Sequence, residues 1–173
     1  MPRTASHPGS LVSHREHQGA TPARTTMFGT PLPAIVEDVP AVVGLGGPAG
    51  AGEDAIVEQV RAGEWYVLHD GQVLVAALRV RWADPGTWGR SDDDDAVYVD
   101  TLLVDPAWSG GPIERALLEW AGSLAAFGDR HWLRLECPDT DAERCAFYAE
   151  LGFVEAARVV SSGSRAVLFE RPA

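Results

Sequence analysis

The chain has 173 residues, enough for one domain with a sizeable core. Its 25 Asp and Glu stand against 14 Arg and no Lys, a formal net charge of −11, which argues against nucleic acid or an anionic membrane as partner and favours a cationic ligand such as an amine. With only Cys137 and Cys145, no disulfide framework, no apolar run of membrane-spanning length and no apolar N-terminal stretch of a signal peptide, a soluble cytoplasmic protein is expected.

Residues 1–30 are polar, carry almost no apolar periodicity and read as a disordered tail, leaving 31–173 as a single domain. His7, His14 and His17 in that tail have no partner cysteines and read as solvated rather than metal-binding. Met27 stands just ahead of the first structured-looking residues; one hypothesis is that translation begins there, the other that residues 1–26 belong to the protein. Residues 34–36 read as a short strand and 38–45 as a weak first helix ended by a glycine-rich run. Residues 53–62 form a second helix, with an acidic first turn, Ile56, Val57 and Val60 on one face and Gly63 as its stop. Strands at 65–69 and 72–82 are joined by the hairpin turn Asp70-Gly71. Residues 83–95 form a polar loop ending in four aspartates, read as a solvated charge run.

The stretch that follows organises the chain. A strand at 96–104 ends in Asp105-Pro106, a small-residue loop Ser109-Gly110-Gly111 follows, and Pro112 presets the first turn of a helix. Ile113, Ala116, Leu117, Trp120, Ala121 and Leu124 lie along one face of that helix, and Gly128 reads as its left-handed C-terminal residue. Strand, glycine loop and helix N-terminus make a cradle for an anion, because free N–H groups and the helix dipole converge there. Downstream come a strand at 131–136 and a capping box Thr140-Asp141-Ala142-Glu143. That box opens a helix to about Leu151, with Gly152 as its cap, and a hairpin of 154–161 with 165–170 ends the chain. The sum is a mixed α/β sheet with helices between strands.

Two of these segments, in this order, resemble motifs of the GNAT family of N-acetyltransferases. Val-Asp-Pro-Ala-Trp-Ser-Gly-Gly at 104–111 is similar to the family's acetyl-CoA segment, and Phe147-Tyr148-Ala149-Glu150-Leu151-Gly152-Phe153 to its F-Y-x-x-x-G-F motif. The resemblance implies the GNAT acyl-CoA N-acyltransferase fold, a mostly antiparallel central sheet flanked by helices. It also implies transfer of an acetyl or other acyl group from acetyl-CoA, the cosubstrate, to a primary amine of a small molecule or peptide. By resemblance, main-chain groups of Leu102, Leu103 and Val104 contact the thioester and pantetheine arm. Gly110, Gly111 and Arg115 hold the pyrophosphate, with Ser109 and Ile113 counted among the cofactor contacts. A homodimer is usual for the family.

The chemistry needs an acid, since a thiolate leaving group of pKa about 8.5 collapses back unless protonated or stabilised. Tyr148 is the candidate, set against a tyrosine that merely packs. It also needs a base for the attacking ammonium. Asp100 and Glu136 are the candidates, because burial raises a carboxylate toward working pH, set against an Asp100 tied to a neighbouring Arg and a Glu136 that caps its neighbours. The loop departs from the family's Arg/Gln-x-x-Gly-x-Gly/Ala pattern, with Ser109, Pro112 and Glu114 at its three defining positions. Pro112 removes an anion-binding N–H. Glu114, three residues after an N-capping Gly111, is expected to cap the helix itself and stand where a phosphate would bind. That departure supports an alternative: a non-catalytic binding or interaction module on the same fold.

Overall fold

A computed structural model describes residues 29–47, 52–89, 95–161 and 163–173; the tail histidines, Met27 and residues 92–94 of the acidic run lie outside them. The described elements are β1 (Leu32–Pro33), a 3-10 turn (Val36–Asp38), α1 (Val39–Gly44), α2 (Glu53–Arg61), β2 (Trp65–Asp70), β3 (Val73–Arg81), β4 (Ala96–Val104), α3 (Pro112–Phe127), β5 (Trp132–Pro138), α4 (Ala142–Glu150), β6 (Val154–Ser161) and β7 (Ser164–Pro172). The strands form one sheet in the order β1-β2-β3-β4-β5-β7-β6. Only β4 and β5 run parallel, and α3 is the crossover that a parallel pair requires. Among the described residues no helix is long and apolar enough to cross a membrane.

Helices cover both faces of the sheet. On one, Val39 and Val42 of α1 and Ile56 and Val60 of α2 pack with Trp65, Val67, Leu74 and Ala77. On the other, Ile113, Leu117, Leu118 and Ala121 of α3 and Tyr148 of α4 pack with Leu78, Val80, Val97, Val99, Leu133 and Leu135. A fully buried Leu or Ile contributes about 1.5–3 kcal/mol, against helix-propensity differences of a few tenths. Packing therefore decides how α3 is rotated. Its buried stripe runs through Leu118 and Ala125, while Trp120 sits at the margin with its ring centroid 4.7 Å from that of Tyr66.

Three local expectations are corrected. The first strand lies at Leu32–Pro33 rather than 34–36, because the Asp38 carboxylate accepts the Ile35 N–H at 2.9 Å and turns the chain into the 3-10 turn. Helix α4 is capped by Asp141, whose side chain accepts the Arg144 N–H at 3.0 Å, not by Thr140. Gly128 has φ −87°, and the left-handed residue is Asp129 at φ 56°. Glycine is needed at 128 for room: a Cβ there would lie 2.5 Å from the Trp82 ring.

Candidate active site

The parallel pairing of β4 with β5 extends only from Ala96↔Trp132 to Val99↔Leu135. Beyond that point β4 runs on to Val104 beside β3 alone, and β5 runs on to Pro138 beside β7 alone. The two strands splay, and the β5-facing main-chain groups of residues 100–104 have no ladder partner. Such groups require water or a ligand.

A cleft of about 1030 Å³ opens on this splay. It brings together Leu102, Leu103 and Val104 of β4, Ser109, Gly110 and Gly111 of the loop, Arg115 of α3 and Tyr148 of α4. Gly110 and Gly111 take φ 124° and 100°, values open to glycine and strained for other residues, and they turn the chain into the N-terminus of α3. Ile113 is not on the cleft wall: its side chain is buried in the core, so only its main chain is left to a ligand at the helix start. Sequence reasoning missed Arg144 and Phe147, which line the same cleft as Tyr148; the spacing of Arg144 four residues before Tyr148 and three before Phe147 was the available signal. Phe147 lies against the loop, 3.6 Å from where a Gly111 Cβ would stand.

The loop carries its own anion. The Gly111 N–H donates to Glu114 Oε2 at 3.0 Å, as the N3 position predicts. Asp141, Glu143 and Glu150 also line the cleft, so its charge is carried by four carboxylates against Arg115 and Arg144.

Tyr148 is 6% exposed, its ring edge-on to Phe153 and Phe169 at centroid distances of 5.9 Å. Burial pushes its hydroxyl up to about 12, with Arg144 working in the opposite direction. The phenol therefore holds its proton at neutral pH and can act as a donor.

Asp100 and Glu136 do not line the cleft; they sit at the root of the splay on the opposite sheet face. Arg79 pairs with Thr101 and Val80 with Val99, so Asp100 is the extra residue of a β-bulge, a device that re-aims side chains. Asp100 faces Arg79 and Arg81, at 3.1 and 3.7 Å. Arg79 is also held by Glu64 at 2.8 Å. Burial raises Asp100 despite both arginines, and its Oδ1 is buried without a hydrogen-bond partner. Glu136 is the first β5 residue past the last pair. Burial raises its carboxyl, the like charges of Asp84 and Asp100 add to that, and its Oε2 is buried without a partner. Asp84, 8% exposed and 3.4 Å from Arg81, lay unmarked in a loop that reads as polar throughout. His131 Nδ1 meets Asp95 at 2.6 Å and His69 faces Asp38 at 3.7 Å. Among the described residues, no group of three or more His, Cys, Asp or Glu is arranged to hold a metal ion.

No protein-family model matches the chain. It is 24% identical over 144 residues to the uncharacterized N-acetyltransferase YesJ of Bacillus subtilis, covering 70% of this chain and 79% of that one. A GNAT-family acetyltransferase from Listeria monocytogenes superposes with TM-score 0.65 at 18% identity, over 83% of this chain and 94% of the other. The aminoglycoside acetyltransferase AAC(6')-Ib, solved with coenzyme A and kanamycin, gives TM-score 0.69 at 15% identity over 83% and 94%. The fold is the GNAT acetyltransferase fold, and the sequence relative points to the same family.

Proposed function

We propose that the protein is an N-acyltransferase that moves an acetyl or related acyl group from acyl-coenzyme A to the primary amine of a small molecule. The observation that carries this reading is the splay itself. Unpaired main chain at 102–104 faces a cleft that also holds the left-handed Gly110-Gly111 turn and the buried, protonated Tyr148. The likeness to an aminoglycoside acetyltransferase solved with coenzyme A and kanamycin supports both the donor and an amine acceptor.

The residues fit an acyl-CoA well at its thioester end. Main-chain groups of Leu102, Leu103 and Val104 would pair with the pantetheine arm along the open strand edge. At the pyrophosphate end Gly110, Gly111 and Arg115 would hold the phosphates, joined by Arg144, while Glu114 has to give up the Gly111 N–H. Coenzyme A supplies the activated thioester; the protein's own groups orient it and move protons. Of the two carboxylates, Glu136 is the better base. Asp100 is committed to Arg79 and Arg81, whereas Glu136 makes no ion pair within 4.0 Å among the described residues and has a raised carboxyl. Glu136 takes the ammonium proton, the free amine attacks the thioester carbonyl, and Tyr148 protonates the departing thiolate.

The contact between Gly111 and Glu114 favours a second reading, a non-catalytic module in which the carboxylate keeps the cradle closed. One assay separates the two: release of free coenzyme A thiol from acetyl-CoA with a panel of polyamines, aminoglycosides and short peptides. Acceptor-dependent thiol release supports the enzyme. Absence of both release and acetyl-CoA binding refutes it and leaves the module.

A further inference from the structure

Cys137 and Cys145 are the chain's only cysteines, and neither has a part in the chemistry above. Their sulfurs lie 3.4 Å apart across two elements, one on β5 and one on α4. Each thiol otherwise has only a weak contact to a main-chain oxygen, Cys137 to Asp141 at 3.9 Å and Cys145 to Pro138 at 3.8 Å. Cys137 is fully buried, and Cys145 is partly open to solvent. The pair adjoins the cleft: Arg144 precedes Cys145 and Tyr148 lies three residues after it, both lining the cavity. Cys137 belongs to the limb of β5 that has parted from β4.

We infer that Cys137 and Cys145 are a reversible oxidation site, closing to a disulfide that pins α4 to the free limb of β5 and so misplaces Tyr148 and Arg144. A disulfide needs its sulfurs at about 2.05 Å, so closure draws the first turn of α4 toward β5 by roughly an ångström. A shift of that size in a positioned acid can cost about a hundredfold in rate.

The oxidant class is a low-molecular-weight disulfide. The Cys145 thiolate, the accessible one, attacks one sulfur of oxidised glutathione, forming a mixed disulfide and expelling one glutathione thiolate. Cys137, once deprotonated, attacks Cys145 Sγ and expels the second. Two electrons pass from the protein dithiol to the oxidant, and the two thiol protons end on two molecules of glutathione. Burial holds the Cys137 thiol well above the usual range, with Cys145 adding to the effect. The second step is therefore the slow one and speeds up as pH rises.

The test is mass spectrometry of the full chain after incubation with oxidised glutathione. The wild type should lose two hydrogens and keep no adduct. A non-reducing tryptic digest should give the 135–144 and 145–158 peptides linked. Cys137→Ala should stop at a stable single glutathione adduct on Cys145, and Cys145→Ser should resist modification. A persistent adduct in wild type, or adducts on both cysteines, overturns the pairing. Its functional half rests on the acyl-transfer reading: oxidised wild type should lose at least tenfold in acetyl-CoA turnover and recover it with dithiothreitol, while Cys145→Ser is indifferent to oxidant. Bond formation with unchanged turnover refutes the displacement of Tyr148 and leaves acyl transfer standing; absence of turnover in the reduced protein refutes the transferase reading, and with it this functional half.

Discussion

Replacing Glu114 with Gln tests whether the loop carries a built-in competitor for the phosphate. The carboxylate lies 3.0 Å from the Gly111 nitrogen, the donor that a pyrophosphate oxygen would also use. Two like charges 4 Å apart repel by about 4 kcal/mol at the effective dielectric of a protein surface and by about 1 kcal/mol in water. Glu114 is half-buried, between these two environments, so a residual penalty of about 1–2 kcal/mol is the scale. Removing it should tighten acetyl-CoA binding roughly 5- to 30-fold by titration calorimetry. The gain should shrink as ionic strength rises and the repulsion is screened. S-acetylpantetheine, which has no pyrophosphate, should bind wild type and Glu114→Gln equally. The amide can still accept the Gly111 N–H but loses its charge–dipole term of about 0.3–1 kcal/mol, lowering Tm by roughly 1–4 °C. Acetyl-CoA binding by the variant that is no tighter than wild type would refute the reasoning.

Three further perturbations have definite outcomes. Tyr148→Phe keeps the ring packed on Phe153 and Phe169 and should leave Tm and KM nearly unchanged while lowering kcat by about a hundredfold or more; unchanged kcat in steady-state assays removes Tyr148 as the acid. Glu136→Gln should abolish the rise of activity with pH and at the same time stabilise the fold. The Glu136 carboxyl is raised in the folded state, so the native protein holds a proton that the unfolded chain has shed, and stability falls as pH climbs from the ordinary carboxylate range through the raised value. A melting-temperature series against pH should show the variant gaining on wild type across that window; a variant that loses stability toward neutral pH contradicts the assignment. Gly128→Ala should destabilise by about 1–3 kcal/mol in urea titrations because the new methyl meets the Trp82 ring at 2.5 Å, whereas the loss of unfolded-state entropy alone predicts a gain of about 0.4–1 kcal/mol.

The fold was legible because most of its signals are local. Alternation marked the strands, and the apolar stripe from Ile113 to Leu124 marked α3. Pro112 and Gly152 marked helix ends to within a residue or two. Where reading failed, two local signals competed. Ala34-Ile35-Val36 is as apolar as a strand, yet the Asp38 carboxylate captures the Ile35 N–H and bends the chain. Thr140 and Asp141 are both good N-caps, and only the geometry of the turn after Pro138 selects Asp141, whose N–H is bonded to the Pro138 carbonyl at 3.0 Å. Gly128 looked like a left-handed residue because its true constraint, Trp82, lies 46 positions away in the sequence.

The lining of the cleft was legible only in part: Leu102–Val104, Ser109–Gly111, Arg115 and Tyr148 meet there, Asp100, Glu136 and Ile113 do not, and Arg144 and Phe147 were missed. A bulge at Asp100 hides part of the arrangement. In Ala96–Val104 the buried face is occupied by Val97 and Val99, then by Leu102 and Val104. The change of parity between 99 and 102 is the bulge. Leu103 packs into the other core, so apolar residues at 102, 103 and 104 in a row hide the change from any count of alternation. With uninterrupted parity, Asp100 would share its face with Leu102 and Val104. Tyr98 and Asp100 already alternate onto the face of Arg79 and Arg81, so the inserted residue instead carries Leu102 and Val104 to the opposite face, where they line the cleft. The same position ends the pairing with β5 and leaves Glu136 beside Asp100. Alternation along β4 and β5 thus leaves the carboxylates on one side of the open edge and the packing of α4 leaves Tyr148 on the other, the separation that a proton acceptor and a proton donor need if they are to serve opposite ends of one acyl transfer.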